Sequence, residues 1–489
     1  MVQLATPKVT ERKGRSPSAQ ICSNLRTQIT KGLYAPGAAL PSSRALAAEL
    51  GVSRTTVTAA YDQLIAEGYL ESRQGSKTRV AAAFRPPAPV RIKPTVSRTA
   101  ARDLSEFGRR VLTFPPADLS GDRPAIDFRY GDLSPDDFPT LPWKRAITRV
   151  LLQKQQRLSY GDPSGLPELR KALQSYLSRV RGIRCEADQI IVVSGSQQAL
   201  DLCARVFINP RDDVVIENPG YPAARQVFEA VGATLHPVPV DHEGMRTDLL
   251  ENVRKGRLAY VTPSHQYPLG SVMSVSRRQA LLTWATQVGA HIIEDDYDSE
   301  FRYDARPVEA LQSLDREDVV IYVGTLSKTL SPQFRLGYLV VPSHLATVFS
   351  TAKRLTDRHT STLAQSALAD MLESGAYERH VRRVRRSNGE RRSALLAAVK
   401  DNFGDDVAIS GADAGLSVVL WLHKVPRSKE SELIDAARAN GIGVYPISPL
   451  FVGTKDRAKK AGVVLGYAGV SLADIRRGIR SLARVVETL

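Results

Sequence analysis

A lysine with hydroxyl-bearing neighbours stands in the segment Thr325-Leu-Ser-Lys328-Thr-Leu-Ser-Pro-Gln-Phe-Arg335. The amine of a lysine can form a Schiff base with an aldehyde, and an arginine seven residues later can neutralise a phosphate. A surface lysine beside a helix is the plainer alternative. The pattern favours a site for a phosphorylated aldehyde, with Lys328 as the reactive amine.

Acidic side chains crowd the run Glu294-Asp295-Asp296-Tyr297-Asp298, which continues the apolar stretch that begins at His291. Carboxylates at the end of a buried strand are costly unless they meet water, a metal or a cation. Because the sequence has no matching histidine or cysteine cluster, we expect no metal and favour a protonated pyridine nitrogen as the partner. Asp295 is the preferred carboxylate, and Asp296 is the alternative.

Two further segments have the residue types of a ligand site. Ser194-Gly195-Ser196-Gln197 leads from a strand into a helix whose free backbone N–H groups can hold a phosphate. Asn218-Pro-Gly-Tyr221-Pro places an aromatic ring in a rigid turn, where it can stack on a planar ligand. Taken singly, the first is also compatible with an ordinary turn and the second with a packed loop tyrosine.

These segments must be positioned by a sheet. Beyond about residue 125, amphipathic helices alternate with apolar strand-like runs at 190–193, 213–216, 258–261, 291–294, 319–323 and 337–341. Such alternation predicts an α/β fold with a mostly parallel sheet covered by helices on both faces. Ligands of such sheets bind at the loops that follow the strands, where the candidate residues lie.

The bulk composition sets the limits. With 489 residues, 43% of them hydrophobic, the chain is long enough for two or more domains. No run has the roughly 18 uncharged apolar residues that a membrane span needs, and the N-terminus is charged where a signal peptide is apolar, so we expect a cytoplasmic protein. Cys22, Cys185 and Cys203 are widely separated, which argues against a disulfide framework or a structural zinc.

The net charge of +16 is concentrated at the N-terminal end, where residues 1–98 hold 15 lysines or arginines against 5 acids. A polyanion bound there would explain this charge, as would a flexible basic tail. Helical spacing of apolar residues at 21–33, 45–50 and 53–64, with Gly51 between the last two, predicts a helix-turn-helix. Two short strands around residues 74–77 then form a basic wing.

The candidate DNA contacts lie at the starts of the second and third helices and in the wing. They are Ser43, Arg44, Ser53, Arg54, Thr55, Thr56, Gly75 and Lys77. Hydroxyls and guanidinium groups at the N-terminal turn of a recognition helix meet base edges and phosphates. The alternatives are that the arginines are solvated and that Thr55 and Thr56 only cap the helix.

This N-terminal pattern resembles the GntR family over about 65 residues. The matching motifs are Leu40-Pro41-Ser42-x-Arg44, Leu50-Gly51-Val52-Ser53-Arg54 and Glu67-Gly68-x-Leu70 with Gly75-Ser76. The family wing usually reads Gly-Ser-Gly-Thr, whereas this chain has Lys77 at the third position. We expect a winged helix at 14–82, a Pro- and Arg-rich flexible linker at 83–124 and a third region at 125–489.

The third region resembles the fold-type-I pyridoxal-phosphate enzymes of the aspartate aminotransferase class, with a smaller C-terminal α+β subdomain. The resemblance implies that Lys328 carries the cofactor, Asp295 pairs with the pyridinium and Tyr297 donates to the ring hydroxyl. Tyr221 would stack on the ring, and Tyr160 would reach a neighbour's cofactor, which implies a homodimer. The implied phosphate-binding residues are Gly195, Ser196, Gln197, Thr325, Ser327 and Arg335.

Two departures from that enzyme pattern bear on activity. Tyr267-Pro268-Leu269-Gly270 replaces the usual Asn-Pro-Thr-Gly, so His265 or Gln266 would substitute for the ring-hydroxyl asparagine. Where an arginine normally binds the substrate α-carboxylate, the chain has the run 462–468, Gly-Val-Val-Leu-Gly-Tyr-Ala. Amino-acid transamination is therefore disfavoured, although the cofactor prediction is unaffected.

The order of winged helix, linker and aminotransferase-like domain resembles the MocR subfamily of GntR regulators. The resemblance implies a homodimeric transcriptional regulator that binds promoter DNA and pyridoxal phosphate, and that controls rhizopine, taurine, GABA or vitamin B6 pathways. An amine effector would displace Lys328 from its aldimine and change the spacing of the two winged helices. The alternatives are an active aminotransferase with an accessory DNA-binding domain and a DNA-binding protein that keeps a vestigial dimerisation scaffold.

Overall fold

A computed structural model describes residues 16–72, 77–84, 103–115, 123–153, 159–303, 308–453 and 458–489. The chain divides into two compact units, residues 1–102 and 103–489. No helix in the described ranges is long and apolar enough to cross a membrane.

The N-terminal unit is a three-helix domain with a short antiparallel hairpin. Its elements are α1 (Pro17–Thr30), α2 (Ser43–Leu50), α3 (Arg54–Ala66), β1 (Leu70–Glu71) and β2 (Arg79–Val80). Each helix begins after a serine, at 16, 42 and 53, whose hydroxyl accepts a hydrogen bond from an N–H of the first turn. Gly51 ends α2 with a φ of 66°, a left-handed conformation that glycine adopts without strain.

One apolar core holds the three helices together. Ile21, Leu25 and Ile29 of α1 are buried against Val57 and Leu64 of α3, as the helical spacing predicts. This arrangement confirms the predicted winged helix-turn-helix.

The larger unit is built on an eight-stranded sheet. The strands of the whole unit, which form this sheet and two smaller ones, are β3 (Ile126–Asp127), β4 (Ile190–Val193), β5 (Asp213–Asn218), β6 (Thr234–Asp241), β7 (Gly244–Met245), β8 (Gly256–Val261), β9 (His291–Asp296), β10 (Val320–Thr325), β11 (Gly337–Val340), β12 (Val407–Ser410), β13 (Ser417–Pro426), β14 (Ile442–Gly443), β15 (Tyr445–Pro446) and β16 (Lys460–Gly466). The main sheet has the order β4-β11-β10-β9-β8-β5-β6-β7. Its central strands β10, β9, β8, β5 and β6 are parallel, whereas β11 is antiparallel to both of its neighbours. The predicted α/β class with a mostly parallel sheet is confirmed.

The helices of the larger unit pack against the main sheet and against a second, antiparallel sheet. They are α4 (Glu106–Val111), α5 (Thr140–Leu152), α6 (Pro167–Arg181), α7 (Ser196–Phe207), α8 (Pro222–Val231), α9 (Val275–Val288), α10 (Ala346–Asp357), α11 (Thr362–Glu373), α12 (Ala376–Phe403), α13 (Glu430–Ala439) and α14 (Leu472–Glu487). The antiparallel sheet β12-β13-β16-β15 shares an apolar core with residues of α12, α13 and α14. This part is the predicted C-terminal α+β subdomain.

The predicted linker, 83–124, is not extended chain throughout. Among its described residues, Ser105 caps α4, and Arg110 on this helix donates a 2.8 Å hydrogen bond to the carbonyl of Ala230. A cap and a tertiary hydrogen bond together stabilise this segment as a helix. Residues 85–102 and 116–122 lie outside the described residues.

Candidate functional site

The candidate residues of the larger unit lie at one edge of the main sheet. The parallel strands β5, β8, β9 and β10 end there, so the loops after them converge. The segment after β10 is folded back, because the Leu326 N–H donates to the Leu336 carbonyl at 3.1 Å. This hydrogen bond places Lys328 and Arg335 on one loop between two adjacent strands.

Lys328 is partly buried beside an aromatic ring. Its Nζ lies 4.4 Å from the ring centroid of Tyr130. Burial lowers the pKa of the Lys328 amine, while Asp298, Asp132 and Asp295 favour its charged form. A lowered pKa increases the neutral, nucleophilic fraction of the amine, as Schiff-base chemistry requires.

Asp295 and Asp296 point to opposite faces of β9, since side chains alternate along a strand. Oδ2 of Asp295 accepts a 2.7 Å hydrogen bond from the Tyr260 hydroxyl, whereas its Oδ1 is buried and has no hydrogen-bond partner among the described residues. Burial raises the pKa of Asp295 to about 7. Asp296 instead forms a buried ion pair with Arg181 at 2.5 Å and accepts a hydrogen bond from Tyr322. Asp295 is therefore the carboxylate with an open position.

His265 lies beside Tyr297. Nδ1 of His265 is 3.0 Å from the Tyr297 hydroxyl and 3.0 Å from both carboxylate oxygens of Asp298. The side chain of Gln266 stabilises the loop in which it lies. Its amide nitrogen donates to the carbonyls of Pro219 and Tyr267, and its oxygen accepts a hydrogen bond from the Leu269 N–H. Of the two substitutes for the missing asparagine, His265 therefore contacts the predicted ring-hydroxyl donor and Gln266 stabilises the loop.

A guanidinium group and a helix N-terminus meet at Gly195. Gly195 precedes α7 with a φ of 82°, and a Cβ atom there would lie 2.9 Å from Nη2 of Arg335. That Nη2 donates to the Ser194 carbonyl at 2.9 Å. Ser196 and Gln197 are the first two residues of α7, where backbone N–H groups have no partner within the helix. The arrangement suits a phosphate group.

The hydroxyl-bearing residues of the lysine segment lie one strand away from this turn, because Gly337 of β11 pairs with both Thr325 and Val193. Thr325 ends β10, and its Oγ1 accepts a 3.2 Å hydrogen bond from the N–H of Ser327. Behind the turn, Gln198 accepts from the Ser194 N–H at 2.7 Å and donates to Asp357 at 2.8 Å. Gln198 thereby fixes the turn to the end of α10.

Aromatic rings form one wall of the site. Tyr221 packs edge-on against Tyr267 at 5.6 Å, and Tyr267 also contacts Tyr130 and Tyr297 at 4.8 and 6.2 Å between ring centroids. Burial, with a further contribution from Asp295, raises the pKa of Tyr221 to about 12. Tyr130 was missed by the sequence reasoning because no motif surrounds it.

Tyr160 lies apart from this wall and is 76% exposed in the single chain. Its ring is 5.2 Å from the guanidinium carbon of Arg358 and 6.1 Å from the ring of His359. The role predicted for Tyr160 in a neighbouring subunit stays a prediction.

The run 462–468 replaces the carboxylate-binding arginine with apolar residues and a tyrosine. Most of this run lies in β16, and the Tyr467 hydroxyl donates a 2.6 Å hydrogen bond to the Gly415 carbonyl. The described residues contain no group of three or more potential metal ligands, and each of the three cysteines is free.

In the N-terminal unit, the predicted DNA contacts are largely accessible. Arg44, Arg54, Thr55 and Lys77 are exposed, and Ser43 is half-buried at the start of α2. Gly75 lies outside the described residues.

The hydroxyls at the start of α3 form a capping cluster. The Ser53 hydroxyl is 2.7 Å from the hydroxyls of both Thr55 and Thr56, and it accepts from the Thr56 N–H. Capping is thus part of what these threonines do, while Arg54 is left to face solvent.

Comparisons with known proteins agree with the folds of both units. Residues 17–80 match the bacterial regulatory proteins of the gntR family, and residues 124–482 match aminotransferase class I and II. The chain is 39% identical to the probable rhizopine catabolism regulatory protein MocR of Rhizobium meliloti, over 95% of this chain and 92% of that one. It is 33% identical to the pyridoxine biosynthesis regulator PdxR of Corynebacterium glutamicum, over 92% and 91%.

Among solved structures, a kynurenine aminotransferase of Pyrococcus horikoshii, in complex with PMP, superposes with a TM-score of 0.72 at 28% identity, covering 81% of this chain and 99% of that one. The aminotransferase class I and II fold binds pyridoxal phosphate, and the gntR match implies DNA binding. The chain belongs to the MocR subfamily of GntR-type, pyridoxal-phosphate-linked transcriptional regulators.

Proposed function

We propose that this regulator binds pyridoxal phosphate in the larger unit and senses a small amine through Lys328. The observation that carries the proposal is Oδ1 of Asp295, which is buried without a hydrogen-bond partner in the described part of the chain, at the same sheet edge as a lysine with a lowered pKa. A buried carboxylate oxygen without a partner is costly, so a cationic ligand group is expected to meet it.

The residues present fit that cofactor. Asp295 would hold the ring nitrogen, Arg335 and the start of α7 the phosphate, and Tyr221 one face of the ring. His265 and Tyr297 would meet the ring hydroxyl. When bound, pyridoxal phosphate supplies an aldehyde with which a primary amine condenses.

The chain's own residues set the conditions for sensing. Burial increases the neutral fraction of the Lys328 amine, which is the form that can react with an aldehyde. The carboxylate of Asp295 would favour a proton on the ring nitrogen of the bound cofactor. The effector changes DNA binding only if it has different affinities for two arrangements of the protein.

Sensing is favoured over turnover because β16 carries no arginine for a substrate carboxylate. The identity to the rhizopine regulator supports a small-amine catabolic pathway, with rhizopine-type amines as the first candidates.

A homodimer completes the proposal. Leu141, Leu151 and Leu152 of α5 and Leu355 of α10 are all strongly exposed in the single chain, together with Tyr160. Apolar side chains of this size are better placed in a subunit interface than in water.

The test is the visible absorbance of protein loaded with pyridoxal phosphate, followed while amines are added. We expect a band that shifts with an effector amine, and DNA affinity that changes with the same concentration dependence. Lys328→Ala should abolish the band and the response, whereas the surface control Lys255→Ala should retain both. A band that persists in Lys328→Ala contradicts the lysine assignment. Steady transfer of an amino group from amino acid to keto acid would restore the aminotransferase alternative.

A further inference from the structure

An open groove of about 830 Å³ in the larger unit has five arginines among its twelve described lining residues. It lies between α12 and the start of α14, and its charged or aromatic lining residues include Tyr303, Arg382, Arg385, Arg386, Arg392 and Arg476. Glu390 is the one acid among the lining residues that the structure describes. The groove is thus strongly positive and is separate from the site around Lys328.

Three of these arginines have no electrostatic partner among the residues that the structure describes. Arg382, Arg386 and Arg476 are exposed, and within the described ranges their guanidinium groups form no ion pair or hydrogen bond. Long charged side chains without a partner repel one another when they are close, and this repulsion is relieved by an anion. Their arrangement therefore favours a polyanionic ligand.

Two other arginines are held in place at the groove. Arg385 donates to the Glu300 carbonyl at 2.5 Å, while Arg392 donates to the Ala412 carbonyl and lies over the Tyr303 ring at 5.3 Å. Arg385 is anchored through Nε, so its two terminal nitrogens keep a fixed orientation that suits phosphate oxygens.

We infer that this groove binds the phosphate backbone of duplex DNA, as a second DNA contact of the chain. An acidic protein partner fits less well, because protein interfaces depend on buried apolar or aromatic anchors. Among the described lining residues, Leu472 is the one exposed leucine, and its side chain is only 37% exposed. DNA is already bound by the N-terminal unit, so a tethered second contact acts at high effective concentration.

The inference rests on the DNA-binding role of the N-terminal unit, and the experiment separates the two. The affinity of the full-length protein for a random-sequence duplex is measured against salt concentration. The groove variant combines Arg382→Gln, Arg386→Gln and Arg476→Gln. A matched control combines Arg254→Gln, Lys255→Gln and Arg316→Gln, which removes the same charge from exposed positions elsewhere in the unit.

Each lost phosphate contact lowers the salt slope by about 0.9, so the groove variant should lose roughly 2 to 3 units of slope. The affinity ratio of native to variant protein should then shrink by roughly 10- to 50-fold between about 0.05 and about 0.2 M salt. The control triple should keep the native slope. Poly-L-glutamate should compete more weakly than the duplex, because carboxylates do not reproduce the phosphate backbone.

Equal slopes for the groove variant and the native protein would overturn the inference, as would an equal loss in the control triple or equally strong competition by poly-L-glutamate. Arg44→Ala with Arg54→Ala reports on the N-terminal unit alone. If that pair leaves affinity unchanged, the helix-turn-helix assignment fails, while a further loss on adding the groove substitutions still supports the groove.

Discussion

Replacing Asp295 by asparagine should stabilise the cofactor-free protein at pH 8 and weaken its binding of pyridoxal phosphate. Burial raises the pKa of Asp295 to about 7, whereas an unfolded aspartate titrates near pH 3.9. Between these values the folded state keeps a proton that the unfolded state has released. The free energy of unfolding therefore falls as pH rises from about 4 to about 7.

The magnitude follows from the size of the shift. One pKa unit corresponds to about 1.4 kcal/mol, so the full penalty above pH 7 approaches roughly 4 kcal/mol, against roughly 1.5 kcal/mol at pH 5. Asparagine removes the titration and still accepts the hydrogen bond from Tyr260. We expect Asp295→Asn to gain about 2 to 3 kcal/mol more, relative to the native protein, at pH 8 than at pH 5.

Urea unfolding monitored by tryptophan fluorescence measures this difference in the larger unit alone, because Trp143, Trp284 and Trp421 are the only three tryptophans and all lie within 103–489. Asp296→Asn is the matched control. It leaves the buried Arg181 without its carboxylate and should cost about 3 to 5 kcal/mol at both pH values.

The same substitution, Asp295→Asn, should lower the affinity for the cofactor even though it stabilises the cofactor-free fold. Asparagine cannot form a charge-assisted hydrogen bond with a pyridinium, a loss of about 1.5 to 3 kcal/mol, or roughly 10- to 150-fold in Kd. Unchanged cofactor affinity in Asp295→Asn, or a stability difference that is the same at pH 5 and pH 8, would refute the assignment of Asp295.

Three more expectations concern the phosphate turn, the recognition helix and the interface. Gly195→Ala introduces a Cβ atom 2.9 Å from Arg335 at a φ of 82°, so it should weaken binding of pyridoxal phosphate but not of pyridoxal, as equilibrium dialysis can measure. Arg54→Ala should weaken promoter binding at least tenfold in a mobility-shift assay, and native affinity would reject α3 as the recognition helix. Tyr160→Ala should change the free energy of unfolding by no more than about 0.5 kcal/mol, because the ring is 76% exposed, yet lower cofactor affinity in the dimer; unaltered affinity would remove Tyr160 from the site.

Residues at the ends of the parallel strands, or on the loops after them, could be predicted from the sequence because these ends converge at one sheet edge. Lys328, Asp295 and Gly195 could be grouped in this way before any contact was known. Which of Asp295 and Asp296 can pair with a ligand depends on their hydrogen-bond and ion-pair partners. These partners, Tyr260 and Arg181, come from other elements of the fold. Local sequence does not state which element packs on which face of a strand.

The position of Tyr130 could not be predicted from the sequence for a second reason. It follows β3, which pairs with β14 more than 300 residues later, so its approach to Lys328 depends on a contact between distant parts of the chain. Helix α4 was missed for a different reason, since Ser105 followed by Glu106 is a local N-cap signal that was obscured by the surrounding proline-rich composition.

The cofactor-free unit concentrates unfavourable features at the predicted site. Asp295 has a buried oxygen that meets no hydrogen-bond partner among the residues described. Arg335 has a φ of 52°, a left-handed conformation that costs a non-glycine residue on the order of 1 kcal/mol or more. Burial also disfavours the charge on Lys328. A ligand that satisfies these groups binds the folded unit and not the unfolded chain, so it stabilises the fold in proportion to its affinity and concentration. The proposed control of DNA binding requires that these groups interact unequally with a ligand in two arrangements of the protein.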